Sequence, residues 1–312
     1  MSLPFFPPRR ALGRTGFVAS RLGIGDLADR SIPREDLVGY LHRLMDAGLN
    51  VVDTAPGYEG GYSEEIVGLA LRGRRDGLFV VDKIDFKDQP VAPQVEGSLR
   101  ALGIECVDLM VFHGVGSLAE WERLTAPGGP ADQLDACVKA GKARFAGISC
   151  HDPVALEAAL LSGRCDVVLF PVGPAVDRRY LTRCLPICRE RGIGSICFKT
   201  FGAGKLLGDT AGYGRPLQDR PRGKVGSGGV DVVDSELPRM TVEACVRYTL
   251  TRDPDVALLG LSLPNEQDAA LEAAARFAPM TDAELQATEE EAARAIAGKG
   301  RIHWNPDTTK PH

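Results

Sequence analysis

The sequence lacks three features that would each indicate a distinct class of protein: a surplus of basic residues, a long apolar run, and closely paired cysteines. It has 37 Lys and Arg against 42 Asp and Glu, a formal net charge of −5, which gives no sign of a nucleic-acid-binding surface. No run is apolar and long enough to cross a bilayer, and no apolar signal segment opens the chain. We therefore expect a cytoplasmic protein that binds neither nucleic acid nor membranes, with its oligomeric state left open.

Residues that ligate metals or form disulfides are few or scattered. The chain has five histidines and eight cysteines, with no Cys-x-x-Cys pair, and the histidines offer no ligand spacing. We expect reduced thiols and no metal site. Cys150 and His151 are adjacent, but neighbouring side chains on one strand end point apart, which argues against a nucleophilic pair.

Short apolar runs alternate with helix-compatible stretches along most of the chain. The 312 residues, 44% of them hydrophobic, suit one large domain, and this alternation predicts parallel βαβ units. The prediction is an α/β fold, a (β/α)8 TIM barrel spanning 1–312 as a single domain, with an N-terminal β-hairpin within Arg10 to Arg21. The eight predicted strands are Leu22 to Gly25, Leu49 to Asp53, Leu78 to Lys83, Asp108 to His113, Arg144 to Ser149, Val167 to Phe170, Ser195 to Lys199 and Val256 to Gly260.

Amphipathic stretches at three- and four-residue spacing predict helices between these strands. An extra C-terminal helix, Asp282 to Ile296, has Thr281 as its N-cap and Glu284 in the capping-box position; helix and tail occupy about 281–312. The segment at about 208–238, rich in Gly and Pro, is too long for an ordinary barrel connection and is either a lid over the mouth or a surface insertion. The other predicted helices are Arg34 to Ala47, Ser63 to Leu71, Pro93 to Leu102, Leu118 to Ala140, Pro153 to Leu161, Arg178 to Arg191, Thr241 to Thr251 and Asn265 to Phe277.

Three of the predicted strands end on a polar side chain that can take part in proton chemistry. These residues are Asp53, Lys83 and His113, and Tyr58 follows the first of them in the next loop. The C-terminal strand ends of a (β/α)8 barrel converge on one mouth, where such barrels carry out their chemistry. The four side chains therefore form a plausible proton-delivery group.

Several segments together resemble the aldo/keto reductase superfamily. They are Arg10 to Gly16 (RALGRTG), Asn50 to Ala55 (NVVDTA) with Tyr58 and Ser63 to Glu65, and Gly141 to Ser149 (GKARFAGIS). The likeness extends from Arg10 to about Phe277. It implies a barrel that binds a nicotinamide dinucleotide at its mouth without a Rossmann domain, and reversible hydride transfer between that cofactor and a small-molecule carbonyl.

The resemblance places the catalytic tetrad on Asp53, Tyr58, Lys83 and His113. Carbonyl reduction needs a hydride on carbon and a proton on oxygen, and Tyr58 would be the general acid. Because a phenol with a pKa near 10 is a weak acid at neutral pH, we expect the Lys83 ammonium to lower the pKa of Tyr58. Asp53 would hold Lys83 in a salt bridge, and His113 would orient the carbonyl oxygen.

Each of these residues also has a purely structural interpretation. Asp53 could cap the following helix, and His113 could be a hydrogen-bonded structural histidine. Lys83 could be a surface lysine paired with the neighbouring Asp82 or Asp85, and Tyr62 competes with Tyr58 for the tyrosine role. The joint register of all four residues favours the catalytic interpretation.

The resemblance also implies positions that hold the nicotinamide end of the cofactor. Ser149 is the serine of the family's Ser-Asn pair, whereas Cys150 stands in the place of its Asn and Leu169 in the place of a Gln. Phe198 would stack on the nicotinamide ring. The loss of two amide side chains weakens the predicted fixation of the ring. The following turn, whose amides are predicted to reach the pyrophosphate, supplies Lys199, Thr200, Gly202 and Gly204.

A loop after the eighth strand, from Gly260 to Gln267, resembles the family's adenosine-phosphate loop at a helix N-terminus. Gly260 is a predicted cofactor-binding residue, and a 2′-phosphate would meet Ser262 and the helix N-terminus. Leu263 and Gln267 stand where NADP-specific members carry basic residues. Neither residue is basic, so the resemblance implies NADP(H) only as the family's usual cofactor, with NAD(H) as an alternative. Without a ligand, this stretch is an ordinary connection in which Pro264 and Asn265 begin a helix.

Two other functions compete with carbonyl reduction. The Cys150 and Leu169 departures suggest a dinucleotide-binding barrel of little or no activity, acting as a redox-sensing or interaction subunit. A barrel isomerase or lyase that uses Lys83 as a Schiff-base amine is a weaker alternative. The sequence does not name the carbonyl substrate.

Overall fold

Eight parallel strands close into a barrel in the part of the chain that the structure describes, a computed structural model covering residues 8–30, 32–207, 238–260, 264–299, 302 and 304–306. A separate antiparallel hairpin precedes it, formed by β1 (Arg9–Ala11) and β2 (Val18–Ser20). The predicted (β/α)8 barrel and its N-terminal hairpin are confirmed. The barrel strands are β3 (Leu22–Ile24), β4 (Val51–Asp53), β5 (Phe79–Ile84), β6 (Val107–Val115), β7 (Ala143–Cys150), β8 (Val167–Pro171), β9 (Gly194–Phe198) and β10 (Val256–Leu259).

Side chains alternate between two hydrophobic layers because successive residues of a strand face opposite sides of the sheet. An inner cluster, which includes Val81, Leu109, Leu169 and Ile196, fills the barrel. A larger outer cluster joins the barrel wall to the surrounding helices. The mouth therefore has a packed floor, as is usual for this architecture.

The hairpin closes the bottom of the barrel. Its Leu12 belongs to the inner cluster, and the Arg14 amide donates to Gly192 O over 2.7 Å. Gly13 has φ +47°, and a Cβ there would lie 2.3 Å from Gly194 N. Only glycine allows this close approach, which keeps the hairpin at the end opposite the mouth.

Helices pack around the barrel within the described residues. They are α1 (Arg34–Asp46), α2 (Tyr62–Leu71), α3 (Val91–Leu102), α4 (Leu118–Thr125), α5 (Pro130–Lys139), α6 (Pro153–Ser162), α7 (Leu185–Arg191), α8 (Val242–Arg252), α9 (Pro264–Ala275) and α10 (Asp282–Ile296). The extra C-terminal helix is confirmed as α10, and the Thr281–Glu284 capping box is present.

One predicted helix is wrong in extent. The stretch Leu118 to Ala140 is two helices, α4 and α5, because Gly128 takes φ +74° and Pro130 begins a new helix at its first position. The predicted helix Arg178 to Arg191 is helical over its whole length, with a π-helical turn (Tyr180–Cys184) directly before α7.

Some predictions lie outside the described residues or stay predictions. The lid or insertion at about 208–238 lies outside them except for Pro238, and so does most of the tail. That 1–312 form a single domain stays a prediction. The eight cysteines have free thiols. The described residues contain no cluster of three or more potential ligands from His, Cys, Asp and Glu, and none of their helices is long and apolar enough to cross a membrane.

Candidate active site

The three strand-end residues lie on adjacent strands of the barrel. Asp53 ends β4, Lys83 lies near the end of β5, and His113 lies in β6. These strands pair in sequence, so their C-terminal ends share one side of the mouth. The topology therefore brings together the side chains that the sequence pattern singled out.

Lys83 and Asp53 form a buried ion pair. Lys83 Nζ lies 2.7 Å from Asp53 Oδ1 and donates to Thr54 O over 2.7 Å, and the two residues are 2% and 4% exposed. Burial lowers the pKa of Lys83, but Asp53 and Tyr58 raise it by more, so the net shift is upward. Burial raises the pKa of Asp53 although Lys83 opposes it. Lys83 is thus a fixed positive charge rather than a neutral amine.

Tyr58 lies directly against this charge. It begins a 3-10 turn (Tyr58–Gly61), and Lys83 Nζ lies 4.4 Å from its ring centroid. The Tyr58 and His113 ring centroids are 5.3 Å apart at 81°, an edge-on arrangement. Tyr58, Lys83, Asp53 and His113 therefore form one continuous cluster.

The expected lowering of the pKa of Tyr58 is wrong for this structure. Desolvation by burial raises the pKa of the phenol by more than the nearby Lys83 lowers it, and Asp53 and Asp26 raise it further. Tyr58 is thus a protonated phenol at neutral pH. Lys83 is the positive charge in this cluster that opposes the effect of burial and favours the phenolate form of Tyr58.

Asp85, which the sequence offered as a partner for Lys83, pairs with His113 instead. His113 Nδ1 and Asp85 Oδ1 are in hydrogen-bonding contact. Burial raises the pKa of Asp85, but the hydrogen bond and charge of His113, the Gly57 amide and Lys83 lower it by more. Asp85 is therefore an ionised carboxylate beside the imidazole.

The competing residues lie elsewhere. Tyr62 begins α2, and the Arg30 guanidinium lies 4.8 Å from its ring centroid. Asp82 accepts from the Lys83 amide over 2.7 Å, and burial and the adjacent Glu64 raise its pKa well above the usual value. Neither residue takes the place of Tyr58 or Asp53 in the cluster.

A cavity of about 240 Å³ opens beside the cluster. Tyr58 and Asp53 line one wall and Phe198 another. The Phe198 and His151 ring centroids are 5.2 Å apart at 30°, so the two rings pack against each other. The remaining lining residues are Gly25, Asp26, Lys199, Thr200, Phe201, Ala203, Leu258 and Gly260.

Lys199 and Thr200 give this cavity polar groups that a dinucleotide could use. Lys199 Nζ lies 5.8 Å from the Phe198 ring centroid and 5.5 Å from that of Trp304, and it forms no ion pair with any described residue. Burial lowers the pKa of Lys199 to about 8. Thr200 is 2% exposed, and its hydroxyl finds no hydrogen-bond partner in the described part of the chain. A cation and an orphaned hydroxyl beside an aromatic ring fit the nicotinamide and phosphate groups of the implied cofactor.

The neighbouring predicted cofactor positions have different orientations. Ser149 pairs with Leu169 across β7 and β8, and Leu169 is fully buried in the inner cluster. The Cys150 side chain, by contrast, belongs to the outer cluster, and its thiol contacts Asp152 O at 3.2 Å. The prediction that the Cys150 side chain faces the cofactor is therefore wrong, because alternation along β7 turns it toward the helices.

The glycine turn after β9 uses its own amides. Gly202 N donates to Lys199 O over 2.9 Å and Gly204 N donates to Phe201 O over 3.1 Å, so neither amide points a free donor at a phosphate. This part of the prediction is wrong. Both glycines have positive φ, +56° and +84°, which lets the turn fold tightly against the cavity.

The loop after β10 is described only in part. Gly260 lines the cavity, whereas Ser262 and Leu263 lie outside the described residues. Gln267 is fully buried, and its amide oxygen accepts from Arg43 of α1 over 3.3 Å. The Gln267 side chain therefore faces α1, and the prediction that it contacts the cofactor is wrong.

Three residues contribute to the site in ways that were not predicted from the sequence. Asp26 lines the cavity, accepts from the Ala28 amide over 3.0 Å, and has its pKa raised to about 6 by burial, against hydrogen bonds from Ala28 and Ser63. Asp85 and His151 are the others. Asp26 could have been predicted from the sequence, because it directly follows the end of the first barrel strand, much as Asp53 lies at the end of the second.

Comparison with known proteins identifies relatives across most of the chain. The profile of the family described as "Aldo/keto reductase family" matches residues 20–292. An L-galactose dehydrogenase of Arabidopsis thaliana is 29% identical over 217 residues, which cover 63% of this chain and 66%, just under two thirds, of that protein. An NADH-specific methylglyoxal reductase of Escherichia coli is 26% identical over 230 residues, covering 63% of this chain and 68% of that protein. The structure of an aldo/keto reductase from Klebsiella pneumoniae in complex with NADP and acetate superposes with a TM-score of 0.66 at 21% identity, covering 91% of this chain and 95% of that one.

Proposed function

The chain belongs to the aldo/keto reductase family, and from this premise we propose that it is an NAD(P)H-dependent oxidoreductase that reduces an aldehyde or ketone to an alcohol. The observation that carries the proposal is the cluster of Tyr58, Lys83, Asp53 and His113 beside a cavity with an aromatic wall. A phenol held between an ammonium and an imidazole is a suitable general acid for a carbonyl oxygen.

The residues of the cavity support a nicotinamide dinucleotide as the cofactor. When bound, this cofactor supplies the hydride. Phe198 would hold the nicotinamide ring, and Lys199 and Thr200 would hold polar groups next to it. NADP(H) is the proposed cofactor and NAD(H) the alternative, since the Klebsiella pneumoniae structure contains NADP and the Escherichia coli relative is NADH-specific.

The proton is the contribution of the protein. The Tyr58 hydroxyl would donate it to the carbonyl oxygen as the carbon accepts the hydride. Lys83, which Asp53 keeps protonated through their ion pair, then stabilises the phenolate that remains. His113 donates a hydrogen bond to the same oxygen. Because the resting phenol is protonated, Tyr58 is already in the state that reduction needs.

The cavity favours a small polar carbonyl compound. Its volume of about 240 Å³ is below the roughly 300–1,000 Å³ of sites that enclose a drug-sized ligand. Asp26 can accept a hydrogen bond from a substrate hydroxyl on the Tyr58 side of the cavity. Most of the dinucleotide would therefore lie along the mouth rather than inside this cavity.

Tyr58→Phe tests the proposal, with Tyr62→Phe as the matched control. The first variant keeps the ring against Lys83 but removes the proton, so we expect turnover of NADPH with small aldehydes and ketones to fall roughly 10²–10⁴-fold. Cofactor binding, measured by fluorescence quenching, stays within about threefold because the phenol hydroxyl contacts the substrate. Tyr62→Phe retains turnover. Unchanged kcat in Tyr58→Phe would refute the assignment.

A binding barrel of little or no activity is the second candidate. It is favoured by Leu169, which offers the nicotinamide carboxamide no hydrogen bond, and by the outward orientation of Cys150. Tight binding of NADPH without turnover across a panel of aldehydes, ketones and alcohols would support this candidate over the reductase.

A further inference from the structure

Asp85 lies between the imidazole of His113 and the loop that carries Tyr58. Its Oδ1 contacts His113 Nδ1, and the two side chains are 14% and 25% exposed. On the other side, a Cβ at Gly57 would lie 2.5 Å from Asp85 Oδ2. Glycine at this position lets the Tyr58 loop approach the carboxylate, so one side chain contacts both elements.

A carboxylate at Nδ1 restricts what Nε2 can do. An ionised carboxylate only accepts hydrogen bonds, so Nδ1 must carry a proton. In the neutral ring the second nitrogen, Nε2, then has a lone pair and no proton. A carbonyl oxygen likewise can only accept hydrogen bonds. The neutral form of His113 therefore cannot donate to a substrate carbonyl, whereas the imidazolium, protonated on both nitrogens, can.

We propose that Asp85 is a positioning residue that keeps a proton on His113 Nδ1, so that His113 assists carbonyl reduction only as the imidazolium. The inference rests on the proposed function, in which His113 contacts the carbonyl oxygen. It adds a second proton requirement to the reaction. Tyr58 must be protonated to give its proton, and His113 must be doubly protonated to orient the acceptor.

The charges around His113 favour Asp85 as the residue with this role. Lys87 Nζ donates to His113 O over 2.8 Å and pairs with Glu120, so it binds the backbone and not the ring. Within the described residues, Asp85 is the group that hydrogen-bonds the ring itself. Four titratable groups interact with His113 itself: Asp85, Tyr58, Asp53 and Lys87. Lys83 and Glu120 act on it through their neighbours, because Lys83 interacts with Asp85 and Glu120 pairs with Lys87.

The tautomer of His113 can be observed without turnover. In protein labelled with ¹⁵N-histidine, multiple-bond proton–nitrogen spectra distinguish Nδ1–H from Nε2–H rings, and His113→Gln identifies the signal. We expect the neutral ring of the wild type to be the Nδ1–H tautomer. In Asp85→Ala it reverts to Nε2–H, the favoured tautomer of free histidine. A wild-type ring protonated on Nε2 alone would overturn the proposal.

The second readout is the pH profile of carbonyl reduction in Asp85→Asn. The amide keeps the size of the side chain but removes the charge that favours the imidazolium. We expect the alkaline fall in kcat/KM to begin at a lower pH than in the wild type, with near wild-type rates at low pH. Asp88→Asn, an exposed change on the same loop, leaves the profile in place.

The two measurements separate this inference from the proposed function. If the wild type reduces carbonyls and the Asp85→Asn profile overlays it at every pH, the inference fails and the reductase assignment stands. If no carbonyl is turned over, the reductase assignment fails, and the NMR spectra alone decide the tautomer. A shift in the profile with an Nδ1–H ring supports the proposal.

Discussion

At single residues, burial and nearby charges shift the pKa in opposite directions, and which of the two effects is larger differs from residue to residue across the site. Burial dominates at Tyr58, whose pKa rises despite Lys83. At Lys83 the opposite holds, because Asp53 and Tyr58 together outweigh desolvation. Lys199 has no such partner among the described residues, so burial alone lowers its pKa to about 8. Lys199 is thus the lysine of the site whose charge changes most readily near neutral pH.

This isolation of Lys199 predicts a pH-dependent affinity for the cofactor. The ammonium is present below pH 8 and lost above it, so a phosphate that pairs with it binds well at pH 7 and progressively less well as pH rises through about 8. Fluorescence titration with NADPH from pH 6 to 10 would show this weakening.

Replacement of the charge should remove the dependence. We expect Lys199→Met to weaken NADPH binding at pH 7 by roughly ten- to a hundredfold, the range for a lost charge-assisted hydrogen bond, and to leave a nearly flat profile above pH 7. Lys139→Met, at an exposed position at the end of α5, serves as the control. Parallel wild-type and Lys199→Met profiles would contradict the role of this charge.

The sequence located the four clustered residues but not their energetics. Asp53, Lys83 and His113 were predictable because each ends an apolar run, and parallel strands end on the same side of a barrel. The raised pKa of Tyr58 could not be predicted, because the desolvation of the phenol depends on atoms that are distant in the sequence. The orientation of Cys150 was readable: if Ser149 faces inward, the next residue on the strand faces outward.

At the scale of secondary-structure elements, short apolar runs predicted the bounds of the strands more accurately than apolar stripes predicted the bounds of the helices. All eight predicted strands match barrel strands to within two residues at either end, because a run of β-branched residues ends sharply at polar or glycine positions. The error at Leu118 to Ala140 has the opposite cause. The apolar spacing continues across Pro127 to Pro130, although two prolines and two glycines there are strong helix breakers.

Close packing of β7 against β8 predicts a severe effect for Gly147→Ala. A Cβ at this position would lie 1.8 Å from Val167 O, which is backbone in the neighbouring strand and cannot rotate away. We expect the free energy of unfolding to fall by about 3 kcal/mol or more, the upper range for overpacked cores. Urea denaturation followed by circular dichroism would measure it.

The matched control for this change is Gly39→Ala in α1. A Cβ at Gly39 meets no atom within 4 Å, so alanine should stabilise the helix by about 0.5–1 kcal/mol. The same substitution thus has opposite signs at the two positions. Equal unfolding midpoints for Gly147→Ala and the wild type would show that β7 and β8 are not as closely paired as described.

On the scale of the whole molecule, the C-terminal region contacts the mouth. Lys299, just after α10, donates to Lys205 O over 2.8 Å and to Pro238 O over 2.7 Å. Trp304 is fully buried under the Lys199 ammonium. The position of this region could not be predicted, because helix α10 is clear from its own sequence but its docking partners are fixed by the barrel.

Because Trp304 lies near Lys199 and Gly202 in the turn after β9, a ligand beside Thr200 in the same turn should stabilise the whole fold. At 100 times its Kd, NADPH would add about 2.7 kcal/mol to the free energy of unfolding, roughly several degrees in Tm. The same measurement with NADH gives the cofactor preference.

Thr200→Val distinguishes a role of this hydroxyl in ligand binding from a role in the stability of the fold. It removes a buried hydroxyl that lacks a partner in the described residues, so we expect the Tm without ligand to stay level or rise, while the shift on adding NADPH shrinks. A lower Tm without ligand and an undiminished shift would mean that this hydroxyl serves the fold and not the cofactor.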